Sequence, residues 1–403
     1  MRFPEFNDEW NKDYLGDLCE VNGRIGFRGY TKSDLVKAGE GALTLGGKHI
    51  DSNDELDLSD PEYLSWEKYH ESPEIKVKKN NIILAQRGTL GRSALIDKDI
   101  GKATINPSMV LLKNFNINNI FLHYFLTTTK IKKEIIRKSS STAVPMISQR
   151  EIKKIKISYP SSKEQIKVSN FFSNIDKKID LMEKKYGSLK LYKKGLVQQI
   201  FSQEIRFKNS ENMFSDWENR KLSDFLFEHR LKSTDNEEVY SVSVHKGLIN
   251  QIEHLGRNFS SKNTSKYNLV KPGDIVYTKS PTGEFPLGII KQSQITKNVI
   301  VSPLYGVFSP ETFDLGYILN EYFESEVNTY NYLHPIVQKG AKNTMNITNN
   351  TFLSKTLFVP TDKNEQKLIH TILAKINKKI DSVEQQLEKT KEFKKYLLQQ
   401  MFV

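Results

Sequence analysis

The chain has a single cysteine, Cys19, among 403 residues, so an intrachain disulfide framework and a cysteine-rich zinc site are both excluded. Such scarcity fits a reducing compartment, and the cytoplasm is the expected location. No stretch approaches the roughly 18 uninterrupted apolar residues of a spanning helix. The opening MRFPEFNDEW lacks the apolar segment of a signal peptide, so neither export nor membrane insertion is expected. Histidines number 8 and show no His-Glu-x-x-His spacing. His229, His245 and His254 read as surface or packing residues, and no metal site is expected. A Gly-x-Ser-x-Gly elbow and a dinucleotide fingerprint after a strand are also missing.

Three near-misses need weighing. Gly41 to His49 (GALTLGGKH) looks like a phosphate loop, but Ala42 stands where that motif needs glycine and His49 where it needs serine or threonine. Asn106-Pro107-Ser108 lacks the second proline and the aromatic ring with which an amino-methyltransferase stacks on a flipped base. Asp60 with Glu74-Ile75-Lys76 has the order of an Asp, Glu-x-Lys set that holds Mg²⁺ in nucleases. Glu-x-Lys arises readily by chance in a chain this rich in both residues, and surface charge is the better reading. The chain is therefore expected to catalyse nothing, with a self-contained magnesium-dependent nuclease as the enzyme rival.

What the chain does carry is positive charge: 60 lysines and arginines against 48 acids, a formal net charge of +12. A lasting positive field points to an anionic partner. Apolar residues at 37 % and aromatics at 10 % suffice for packed cores, and the length suits two or three domains.

An internal repeat organises the sequence. EQIKVSNFFSNIDKKIDLMEKKYGSLKLYKKGLVQQIF, from Glu164, aligns without a gap on EQKLIHTILAKINKKIDSVEQQLEKTKEFKKYLLQQMF, from Glu365, 201 positions later. The openings FNDEW (Phe6 to Trp10) and FSDW (Phe214 to Trp217) are also alike, as are VKKNNIILAQRGTLGR from Val77 and VKPGDIVYTKSPTGE from Val270. The expected order is a globular domain over 1–158, a spacer helix over 159–208, a second domain over 209–360 and a second helix over 361–403.

In both helical segments apolar residues recur at spacings of three and four, from Val168 through Ile175, Ile179, Met182 and Leu196, and from Ile369 through Ile376, Ile380, Val383, Phe393 and Leu397. Helices of about 38 residues would reach about 57 Å at 1.5 Å per residue, which is coiled-coil length. Gly187 and Gly195 are expected as bends. Two similar helices that each need a partner most simply pack on one another, and a local two-fold axis would make them antiparallel with a domain at each end, a dumbbell. The helix-helix contact is expected at Ile175, Ile179, Met182, Leu196, Ile376, Ile380, Val383 and Leu397. The alternative is that each helix lies on the surface of its own domain.

Each globular half mixes short β-branched runs with turn signals, and a helix is expected near Phe121 to Lys138 and near Leu315 to Leu333. The fold class is α+β with mainly antiparallel sheets. Both halves contain loops where Gly, Ser and Thr surround cationic or amide side chains: Gln86, Arg87, Thr89 and Arg92; Lys138 and Ser140; Lys279 and Thr282; Lys339, Lys342 and Asn343. Lys48 joins them as a candidate. Lys, Ser and Thr can reach phosphates while Arg, Gln and Asn can read base edges, so these residues are the candidate contacts to double-stranded DNA. A solvated basic loop is the better reading of any one of them; recurrence in both halves carries the set. Two heads on a rod of this length imply a split site whose halves lie no more than about 17 base pairs apart, and unlike loops imply unlike half-sites.

The domain-helix-domain-helix order, the helix ends KKGLVQQIFSQEIRF (Lys193 to Phe207) and KKYLLQQMFV (Lys394 to Val403), and the openings FNDEW and FSDWENRKLSDF together resemble the DNA-specificity subunit of type I restriction-modification systems. The resemblance spans essentially the whole chain. It implies two target-recognition domains reading an asymmetric bipartite site, with the paired helices as a ruler. It also implies two methyltransferase subunits docked along the polar helix faces, with motor-nuclease subunits joining for restriction. S-adenosylmethionine, ATP and Mg²⁺ would then belong to the partners, with no cofactor in this chain. The third reading is a coiled-coil scaffold that binds no DNA.

Overall fold

The two repeated segments fold as continuous helices, Ser162–Phe201 of 40 residues and Lys363–Met401 of 39. The computed structural model describes the chain apart from residues 141–142, 209–213, 235, 252–263, 340–344 and 403. The first helix runs unbroken through Gly187 and Gly195. A β-carbon at either would meet nothing within 4 Å, and the cost of about 1 kcal/mol per glycine is small beside burial of the apolar stripe.

The chain divides into two units, residues 1–184 with 385–403 and residues 185–384. Each unit takes part of both long helices, and in each the two segments run antiparallel. In the first unit Asp176 pairs with Lys394, Glu183 with Lys391 at 2.7 Å, and Met182 lies against Thr390. In the second, the Tyr186 hydroxyl donates to Glu384 at 2.8 Å, and Leu196 and Ile200 share a core with Ile369 and Leu373. Helix also packs on domain in the first unit. Val168 and Phe172 of the first helix and Leu397, Met401 and Phe402 from the end of the chain all enter one core with Leu15, Val110 and Phe121. Of the expected helix-helix residues, Ile179, Leu196, Ile380, Val383 and Leu397 are buried and Ile175, Met182 and Ile376 half-buried. Phe393, read as part of the stripe, is 53 % exposed.

One docking device occurs twice. Glu164 and Glu365, each in the first turn of a long helix, are buried carboxylates that accept from Arg2 at 2.7 Å and Arg206 at 3.2 Å. Gln165 and Gln366 follow, each donating to the carbonyl of the proline before the helix, Pro160 at 2.8 Å and Pro360 at 2.9 Å. The anionic residue suits the positive end of the helix dipole.

Each unit is α+β. In the first, Glu20–Gly23, Met109–Lys113, Ile82–Ala85 and Ser93–Leu95 form an antiparallel four-stranded sheet in that order. Behind it lies a five-stranded sheet whose one parallel pair joins Gly41–Leu45 to Ala103–Ile105. In the second, Leu226–Phe227, Gly306–Pro310, Ile275–Tyr277 and Ile290–Gln292 repeat the four-stranded order. A strand before each domain pairs with the strand that leads into the long helix: Asn11–Tyr14 with Lys156–Tyr159, and Glu218–Lys221 with Thr356–Val359.

The single helices expected over 121–138 and 315–333 are each two helices, Asn119–Thr127 with Thr129–Lys138 and Phe313–Phe323 with Glu326–Leu333. Capping side chains cause the breaks. Thr128 stays extended and its hydroxyl accepts from Ile131 N, while Ser325 accepts from Asn328 N.

Candidate nucleic-acid interface

The buried strand Ile82–Ala85 delivers the chain directly into Gln86, Arg87, Gly88 and Thr89 before it returns through Ser93–Leu95. Gly88 and Gly91 have φ of +76° and +77°, values that a β-carbon disfavours, so the tight return depends on them. Three segments that are far apart in sequence meet here. The Gln86 and Arg87 amides both donate to the Ser108 carbonyl, at 2.9 and 3.2 Å, and Ile147 N donates to the Gln86 carbonyl at 2.9 Å. Arg87 forms an isolated bridge with Met146, whose own backbone is bonded to Ser140 in both directions. The loop at 86–92 and the segment holding Lys138 and Ser140 are thus brought together.

Within this surface the side chains differ in availability. Arg87 and Thr89 are exposed, and the Arg87 guanidinium has no ion pair among the described residues. Gln86 is 9 % exposed, and its amide donates to the carbonyl of Pro107 at 2.9 Å. It therefore braces the loop from inside, where sequence had placed it among base readers. Arg92 is half-buried and donates to the Ile50 carbonyl at 3.2 Å. Lys138 reaches the Lys154 carbonyl at 3.3 Å and lies 3.6 Å from Glu134. The Lys48 ammonium sits between Asp60 at 2.5 Å and Glu62 at 3.0 Å, and those carboxylates hold its pKa above the usual lysine value. A lysine already neutralised in this way is a poor phosphate contact.

The nuclease rival loses its geometry in the same region. Asp60 is committed to Lys48, Glu74 lies 3.4 Å from Arg28, and the Lys76 ammonium sits 4.7 Å above the Tyr69 ring. Among the described residues no three acids, histidines or cysteines are grouped to hold a metal ion.

The second unit has its counterpart between Ile275–Tyr277 and Ile290–Gln292. The Tyr277 hydroxyl donates to the Leu287 carbonyl at 2.9 Å and closes the base of the loop. Gly288 has φ of +106°, and a β-carbon there would stand 2.0 Å from the Thr278 carbonyl oxygen. At the tip, Thr282 and Phe285 bond each other, N–H to carbonyl at 3.0 Å and N–H to hydroxyl at 3.3 Å. Lys279 is half-buried, and burial pulls its pKa below the usual lysine value against the pull of Glu228. Gln338–Lys339 pairs with Met345–Asn346. The Lys339 side chain, Lys342 and Asn343 lie outside the described residues.

His229 accepts from Leu231 N through Nδ1, which leaves Nε2 to donate to Asp274 at 2.9 Å. His245 is exposed, 3.7 Å from Glu284, and His254 lies outside the described residues. Cys19 is buried, which pushes its thiol up to about 12 and makes it unreactive. No helix among the described residues is long and apolar enough to cross a membrane.

Sequence reasoning passed over the Arg2–Glu164 and Arg206–Glu365 clamps, although Glu164 and Glu365 align in the repeat. The signal was the shared Arg-Phe at Arg2-Phe3 and Arg206-Phe207, upstream of FNDEW and FSDW.

Residues 7–191 match the family model described as the type I restriction modification DNA specificity domain. The MjaVIII specificity subunit of the type I restriction enzyme of Methanocaldococcus jannaschii is 26 % identical over 283 residues, 63 % of this chain and 64 % of that protein. The Escherichia coli EcoBI specificity subunit is 22 % identical over 206 residues, 49 % of this chain and 42 % of its own length. The matched stretch thus spans less than two thirds of these relatives. Among solved structures, the type I restriction-modification S subunit from M. genitalium superposes over 100 % of this chain and 99 % of its own, with a TM-score of 0.60 at 14 % identity. A structure described by complex assembly and conformational transition of the type I R-M system covers 98 % and 97 %, with a TM-score of 0.53 at 13 % identity. These likenesses establish a shared fold.

Proposed function

We propose that this chain, whose residues 7–191 match the model of the type I restriction modification DNA specificity domain, is the DNA-reading subunit of a type I restriction-modification enzyme and performs no catalysis itself. The first domain reads one half of an asymmetric site and the second reads the other. The paired helices set the unread gap between them. Two methyltransferase subunits dock along the Lys, Gln and Glu faces of the helices, bring S-adenosylmethionine and flip the adenine. Motor-nuclease subunits add ATP- and Mg²⁺-dependent cleavage, and the whole assembly works in the cytoplasm.

The observation that carries this reading is one framework used twice with different loop chemistry. The four-stranded sheet, the strand pair at the domain base and the Arg–Glu clamp recur, whereas the loop sequence is Gln86-Arg87-Gly88-Thr89 in one unit and Lys279-Ser280-Pro281-Thr282 in the other. A repeated frame with unlike reading surfaces suits two unlike half-sites. Three curated relatives that are named specificity subunits support the assignment.

A genome-wide adenine-methylation map, with and without this gene, tests the reading in a strain where the partner methyltransferase is active. The expected result is loss of one asymmetric, gapped motif on deletion. A map that keeps every motif refutes it.

A further inference from the structure

The second unit holds a chain of charges that no DNA contact requires: Glu321 and Lys291 are buried, Lys193 is half-buried and Glu324 stands at the rim, 39 % exposed. Lys193, on the first long helix, points its ammonium between Glu321 at 2.7 Å and Glu324 at 3.2 Å, both at the end of helix Phe313–Phe323. Glu321 is 2 % exposed and also accepts from Asn377 of the second long helix at 2.8 Å. Glu324 is held in turn by Lys291, 3 % exposed, at 2.7 Å. Lys291 lies on strand Ile290–Gln292, where the chain leaves the loop that carries Lys279 and Thr282. An unbroken series of ion pairs and hydrogen bonds therefore runs from the base of the reading loop to both long helices.

Such a network is a costly way to hold two surfaces together. Apolar side chains of similar volume would dock the domain at least as firmly, because each buried ion gives up its hydration. What charges add is directionality. A slip of one residue along either helix, or a rotation of the domain about it, would strand an ion in the interior, so one arrangement is favoured over its neighbours. The repeat keeps the lysine and moves its partner. Lys394, which occupies the place of Lys193 in the other copy, pairs with Asp176, and Asp176 in turn accepts from the Tyr124 hydroxyl at 2.6 Å.

We propose that Lys193 is a positioning residue of the DNA-reading subunit: bound between Glu321 and Glu324, it locks the second recognition domain in one register on the paired helices and thereby sharpens the choice of gap length. The inference rests on the bipartite reading above and goes beyond it by assigning the exactness of the gap to a particular side chain. Lys193 touches no DNA; it acts through the placement of the domain.

The test uses the full chain assembled with its methyltransferase subunits. The probes are duplexes carrying the motif found by the methylation map, with the gap at its natural length and one base pair shorter or longer. Lys193→Arg keeps the charge and is expected to retain the wild-type preference. Lys193→Met with Glu321→Gln removes the lock, and Glu324 is kept because it still pairs with the buried Lys291. That double variant is expected to bind the natural duplex, with its discrimination against the altered gaps reduced about tenfold. Thermal melting establishes that it folds. Equal loss of affinity at all three gaps, or an unchanged ratio among them, overturns the positioning role. A wild-type complex with no gap preference overturns both this inference and the bipartite reading, an outcome seen before any variant is made.

Discussion

Replacing Arg206 by methionine isolates one docking clamp and lets its worth be read against pH. Glu365 is fully buried and accepts from Arg206 Nε at 3.2 Å and from Trp217 Nε1 at 3.1 Å, while the arginine is only 11 % exposed and also donates to the carbonyls of Phe214 and Ser215. At that separation the pair attraction is about 5 kcal/mol for an effective dielectric of about 20, before either ion's desolvation is counted. Breaking a buried pair from one side generally costs about 3–5 kcal/mol, because the remaining charge is stranded. Trp217 still donates to the stranded carboxylate, which places Arg206→Met near the lower end, about 3 kcal/mol near neutral pH. Burial already raises the Glu365 pKa, chiefly against the opposing effects of Trp217 and Arg206. Without the arginine it rises further. In the pH window between its ordinary value and that raised value, the folded state binds the extra proton, so the defect is complete above the raised pKa and recedes as pH falls toward the ordinary glutamate range. Urea unfolding followed by hydrogen exchange over 363–380 measures the local cost at several pH values. Adding Glu365→Gln to Arg206→Met is expected to recover most of the loss, since a neutral amide leaves no stranded ion. A cost below about 0.5 kcal/mol, or one that is the same near pH 8 and pH 5, refutes the reasoning.

Two further outcomes follow from the loops. Arg87→Ala is expected to weaken binding through one half-site alone, by about 1–3 kcal/mol if the guanidinium makes a bidentate base contact; competition with duplexes altered in each half distinguishes this from a uniform phosphate effect, which would lower affinity for every sequence and flatten the salt dependence. Gly288→Ala places a β-carbon 2.0 Å from the Thr278 carbonyl at a φ of +106°, so the second unit is expected to lose at least about 2 kcal/mol while the first unit's exchange protection stays unchanged.

The long helices were legible because a 3-4 apolar period repeated at a fixed offset leaves little choice of structure. Their antiparallel pairing within each unit followed from the repeat. The breaks at Thr128 and Ser325 were not legible from periodicity, which continues across both; the decision rests with one hydroxyl that caps the following turn. Composition drew attention to these loops, but the surroundings of the side chains in them were hidden. Gln86 looks like a base reader because Gln-Arg-Gly-Thr is polar, but the strand before it is buried on both faces, and the amide answers carbonyls of a segment twenty residues away. Lys48 is neutralised by Asp60 and Glu62, whose distance along the chain hides the pairing. Arg87 remained exposed because its backbone, and not its side chain, is tied to Met146 and Ser108. Pairings of this kind depend on tertiary placement, which no local pattern records.

The first unit draws on both ends of the sequence, and this bears on how the protein is made. Phe402 stacks on Phe172 with ring centroids 5.8 Å apart, and Leu397 and Met401 complete the same core. During synthesis the first domain emerges early, yet part of its interior is supplied by residues translated after the entire second unit. Until they arrive, the apolar side chains of Val168, Phe172 and Phe121 lack these neighbours, a long-range closure of the kind that slows folding and invites chaperone binding. A chain stopped before residue 385 would therefore leave a nearly complete second unit and an unfinished first one, with the damage appearing at the opposite end of the sequence from the lesion.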